Sequence, residues 1–79
     1  MRLVTEIPHS RFKIQVFHYN SKYIVKIELA QFEQVYKIGE LDVNGLEDVL
    51  KMIDEELLKN CLDRFVVMRS DWEKSFKKI

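Results

Sequence analysis

Apolar residues recur at Leu46, Val49, Leu50, Ile53, Leu57, Cys61, Phe65, Met68, Trp72 and Phe76, in steps dominated by three and four that hold them on one stripe of a helix. No Gly or Pro interrupts this run, and the pattern predicts a helical region over 45–77. The first half alternates instead. Between Arg11 and Tyr19, Phe12, Ile14 and Val16 are separated by Lys13 and Gln15, and further on Tyr23, Val25, Ile27 and Leu29 alternate with Ile24, Lys26 and Glu28. Both runs have the period of a half-buried strand. A two-residue turn at Asn20 and Ser21 pairs Val16 with Val25, Ile14 with Ile27, Phe12 with Leu29, and Lys13 with Glu28. This register puts three apolar pairs on one face and an opposite-charge pair on the other, and a slip of one residue would scatter them.

A third strand is expected over 32–38, with Phe32, Tyr36 and Ile38 on the same face. Its connection through Ala30 and Gln31 lacks residues that tolerate positive φ, and a tight turn there would set Glu28 opposite Glu33, which favours a longer loop or a bulge. Gly39 ends the sheet, and Asn44 with Glu47 three residues on has the spacing of a capping box opening the helix. The expectation is an α+β domain: a two- or three-stranded antiparallel meander over 11–39, preceded by an N-terminal segment, 1–10, and packed on one face by a long or broken C-terminal amphipathic helix.

That helix outgrows its sheet. Unbroken from Leu46 to Phe76 it would run about 46 Å, against about 27 Å for an eight-residue strand. Either it breaks, with Ser70 and Glu73 or Asn60 and Asp63 as candidate restarts, or its far end covers something else. Phe65, Met68, Trp72 and Phe76 then form a candidate interface with a second subunit. With 79 residues, the chain makes one domain that buries only about 60% of its unfolded surface, and dimerisation would enlarge a small core.

Hydrophobic residues at 47% and charged residues at 33%, with two Gly and one Pro, place the chain among folding globular sequences. Residues 1–39 carry +3, 40–56 carry −6 and 57–79 carry +3. Acidic groups therefore crowd the helix start and basic ones its end, as the helix macrodipole favours. The single cysteine, Cys61, cannot form an internal disulfide and lies on the packing stripe, which fits a reduced, cytoplasmic protein. The opening residues lack the apolar run of a signal peptide, and no stretch is long enough to span a membrane.

Little in the sequence promises catalysis, a metal or a cofactor. The segment 40–45 resembles the start of a calcium loop, yet Glu40 and Lys51 stand where Asp and a bidentate Glu are needed. His9, His18 and Cys61 have no partners at zinc-ligand spacing. A Cys61–His18 nucleophile pair has only the residue types in its favour, since a thiol on the packing stripe is inert. Asp54, Glu55 and Glu56 point about 100° apart on a helix and form no acid/base pair. The outer sheet face is richer, gathering Arg11, Lys13, Phe17, Tyr19, Lys22, Ile24, Lys26, Val35 and Lys37. Basic groups between aromatic rings suit single-stranded nucleic acid, although Glu28 and Glu33 interrupt them and no ribonucleoprotein, K-homology or double-stranded-RNA motif is present. The leading expectation is a non-catalytic interaction module that self-associates through its C-terminal helix. The alternative is weak single-stranded nucleic-acid binding through Lys13, Phe17, Tyr19 and Lys26.

Overall fold

Asn20 and Ser21 turn the chain with φ of 53° and 60°, the left-handed pair that a two-residue hairpin turn needs to match strand twist. On either side the strands β2 (Lys13–Tyr19) and β3 (Lys22–Leu29) pair antiparallel, with Val16 opposite Val25, Ile14 opposite Ile27 and Lys13 opposite Glu28. The ladder stops at Lys13, so Phe12 packs into the core from just outside the strand. The computed structural model describes residues 1–79.

The sheet has four strands, not two or three. Residues 1–10 are not a free segment: β1 (Arg2–Ile7) adds to the outer edge of β2, with Ile7 opposite Ile14 and Thr5 opposite Val16. The register shifts between Leu3 and Thr5, leaving Val4 as an extra residue. That bulge sends Leu3 to the outer face opposite Phe17 and erases the alternation that would have marked a strand. At the far edge β4 (Phe32–Gly39) pairs with β3 along its whole length, giving a meander in the order β1-β2-β3-β4.

The β3–β4 connection is a tight two-residue turn rather than a longer loop. Ala30 takes φ 55°, and Glu28 does stand directly opposite Glu33. Pairs such as Val25 with Tyr36 and Tyr23 with Ile38 outweigh the strained alanine and the like charges, and Lys13 on the other side of Glu28 offsets part of the repulsion.

After β4 a single 3-10 turn, Glu40–Asp42, folds back against the sheet end. The Glu40 N–H donates to the Ser21 carbonyl at 3.0 Å, and Glu40 Oε2 lies 2.6 Å from His18 Nε2. Asp42 lies over Gly39, where a Cβ would stand 2.9 Å from its Oδ2 and would turn that carboxylate aside.

The helical region breaks, and not where the sequence suggested. The helix α1 (Leu46–Met52) is followed by Ile53 and Asp54, and α2 (Glu55–Phe76) then runs unbroken through both Asn60 and Ser70. Asp54 Oδ1 accepts the Leu57 N–H at 2.9 Å, so part of the acidic triplet is a helix cap. Asn44 does not cap α1. Gly45, at φ 86°, occupies that position, and the Asn44 N–H instead donates to the Asp48 carboxylate at 2.8 Å.

The break re-phases the apolar stripe. Val49 of α1 and Leu58, Cys61 and Phe65 of α2 close over Ile14, Val16, Val25 and Ile27, while Leu50 is left 37% exposed. The Phe12 and Phe65 rings meet at 5.9 Å. No helix is long and apolar enough to cross a membrane.

Ala30→Gly removes the left-handed strain at the β3–β4 turn and should raise stability by about 1 kcal/mol. Urea unfolding should show a higher midpoint with an unchanged slope.

Candidate functional site

Beyond Phe65, the last fully buried residue, α2 continues for eleven residues to Phe76, or about 16 Å. The molecule is accordingly elongated, 45 × 25 × 19 Å. The four residues of the predicted interface do not share one environment. Phe65 belongs to the core of its own subunit and Met68 is half-buried against that core, but Trp72 and Phe76 are 50% and 57% exposed. Their rings meet edge to face at 5.5 Å, which fixes each against the other.

This distal arm lies beside the tip of the β3–β4 hairpin. Between them runs a groove of about 590 Å³ with Leu29, Phe32, Leu62, Val66, Trp72 and Phe76 along its walls. Arg69 and Glu73 cross the same stretch of helix as an exposed pair at 3.1 Å, four residues apart, worth a few tenths of a kcal/mol. The hairpin tip joins the site because Ala30 turns tightly, a contribution the sequence hid behind an unfavourable turn dipeptide.

The outer face of the sheet holds the other predicted set. Phe17, Tyr19 and Lys26 fall in one half, near the Asn20–Ser21 turn, and Lys26 Nζ sits 5.2 Å from the centre of the Phe17 ring. Lys13 does not join them. It lies at the opposite end, in a row with Glu28 and Glu33.

At the seam between β4 and α2 is a half-buried polar cluster, with Arg64 on its exposed side, for which single positions gave no signal. Arg64 Nη1 donates to the Tyr36 hydroxyl at 2.8 Å and to Gln34 Oε1 at 3.2 Å. Gln34 Nε2 donates to the Cys61 carbonyl at 2.8 Å, and the Tyr36 hydroxyl lies 3.6 Å from Cys61 Sγ. Burial pushes the Tyr36 phenol above its ordinary pKa, the hydrogen bond and charge of Cys61 push it further, and Arg64 pulls the other way. Cys61 is fully buried, and the cluster ties α2 to β4.

No known family model, curated protein or solved structure matches the chain. Its chemistry is therefore read from its own side chains. The Cys61–His18 pair does not form, because His18 faces Glu40 and the edge of the Tyr23 ring, the latter at 5.3 Å. No group of three or more His, Cys, Asp or Glu side chains is placed to hold a metal ion. A cavity of about 240 Å³ between α1 and the β3–β4 sheet edge is walled by hydrocarbon such as Val25, Ile38, Val49 and Leu57, and gives a substrate almost no polar group to meet.

Because the Tyr36 phenol is held protonated in the fold, its contribution to stability is present below the unfolded tyrosine pKa of about 10 and is lost as pH rises through the folded value. Tyr36→Phe should therefore unfold less steeply than the parent above that pH. Tyrosinate absorbance should lose its last-titrating phase in the same variant.

Proposed function

We propose that the protein is a non-catalytic interaction module that self-associates through the distal arm of α2. Two copies lie with arms antiparallel, and Trp72 and Phe76 of each fill the groove beside the other's hairpin tip. The observation that carries this reading is the apolar edge of α2, whose last contact with the core is Met68 and which continues half-exposed through Trp72 to Phe76 along a groove of the same chemistry.

Three arguments support a second copy as the occupant. The arm and the groove belong to the same surface, so a two-fold arrangement uses each twice and closes on itself. Charge favours the antiparallel sense: Lys74, Lys77 and Lys78 end the chain, and parallel arms would set six lysines side by side. Burying a half-exposed Trp and a half-exposed Phe on each copy also adds core where a 79-residue chain is short of it. The polar cluster of Gln34, Tyr36, Cys61 and Arg64 holds α2 against β4, so the arm leaves the sheet at a fixed angle.

Sedimentation velocity tests the reading. The parent should run as a dimer, and Trp72→Glu should weaken association at least about 30-fold, the loss expected of a central aromatic anchor, while circular dichroism stays unchanged. A parent that stays monomeric at its highest soluble concentration, or a dimer that survives Trp72→Glu, contradicts it.

A further inference from the structure

The outer face of the sheet is covered by no element, yet its two halves differ in charge. At the end toward the β3–β4 turn, Lys13, Glu28 and Glu33 form one row. One lysine stands there beside two opposed carboxylates, so that end offers an anion little. At the other end Tyr19 stands opposite Lys22, Phe17 opposite Ile24, Ile24 opposite Lys37, and Gln15 opposite Lys26. Three lysines and two aromatic rings meet there, with Asp42 at their margin over Gly39 and Glu6 at the far edge of the Gln15–Lys26 row, its carboxylate accepting from Gln15 Nε2 at 3.0 Å.

We infer that this end of the sheet binds single-stranded nucleic acid, with Phe17 and Tyr19 stacking bases and Lys22, Lys26 and Lys37 meeting phosphates. Phe17 and Tyr19 are two residues apart on one strand, so their rings rise from the same face about 7 Å from one another, room for one base on each. Tyr19 is 56% exposed at the free end of the strand. Ile24 is only 4% exposed although nothing lies over the sheet, because its ladder neighbours Phe17 and Lys37 flank it. That row makes a firm apolar floor between the rings and the charges. Lys26, already over the Phe17 ring at 5.2 Å, has a short path to a phosphate when a base takes its place. An open sheet presenting rings to unstacked bases suits a single strand and excludes a duplex, whose bases are not free. Lys13 takes no part, since Glu28 and Glu33 share its row. The patch lies at the sheet end away from the arm, so it operates whether or not the chain dimerises.

Fluorescence anisotropy of a short labelled random single-stranded oligonucleotide, titrated with the full chain, is the test. With three phosphate contacts, affinity should fall about 20-fold between 50 and 200 mM salt. Tyr19→Ala should lose about tenfold, and Lys22→Gln with Lys37→Gln should lose most of the binding and flatten the salt dependence. Lys13→Gln should bind as the parent does. Four outcomes overturn the inference: no binding at low salt, equal binding of the duplex form, displacement by polyglutamate as effective as by unlabelled oligonucleotide, or undiminished binding by the double lysine variant.

Discussion

A four-stranded meander with one apolar face needs a cover, and the helical segment that supplies it is longer than the strands it covers. Everything else in the molecule adjusts to that mismatch. Eight residues of strand offer about 27 Å, while the residues from Leu46 to Phe76 would make a helix of about 46 Å. The chain takes up part of the excess by stopping at Met52 and restarting at Asp54, whose carboxylate supplies the cap. Two shorter helices then seat Val49 and the Leu58, Cys61, Phe65 row over the sheet. What remains is an arm that its own subunit does not cover.

The same constraint leaves the other side of the sheet bare. All the helical residues are spent on one face, so the outer face stays open, and Phe17 and Ile24, with Leu3 beside Phe17, give it an apolar centre. The two uncovered surfaces are chemically unlike. The arm offers paired aromatics over a hydrocarbon groove, and the sheet end offers lysines around rings. The two partners we propose differ accordingly: a second copy for the arm, and a polyanion with flat bases for the sheet.

The parts of this arrangement legible in the sequence were those where pattern and turn chemistry agree. Asn20 and Ser21 accept left-handed backbone, and the Val16–Val25 and Ile14–Ile27 pairs fit only one register, so the central hairpin could be read directly. β1 escaped because a bulge at Val4 puts Leu3 and Val4 side by side, which removes the period of two. The turn at Ala30 was obscured by local cost, since an alanine at φ 55° and two opposed glutamates are tolerated only because the rest of the β3–β4 ladder forms. The helix break was hidden for another reason: Leu50, Ile53 and Leu57 keep helical spacing straight across it, and Asp54 reads as one acid among three until its carboxylate is seen on the Leu57 N–H. At the candidate sites, the exposed Trp72 and Phe76 were readable from the length argument, but the hairpin tip beside them and the separation of Lys13 from Lys26 depend on register and could come only from the fold.

If an overlong helix finds its missing cover in a second copy, the arm should behave as buried only when copies meet. Hydrogen–deuterium exchange followed across a dilution series measures this directly, because arm amides report on the arm and β2–β3 amides report on the fold. Exchange over 66–76 should slow steeply as concentration rises, while the Lys13–Tyr19 ladder stays equally protected throughout. Arm exchange that does not depend on concentration would contradict the account, and would mean that the arm stands in solvent without a second copy.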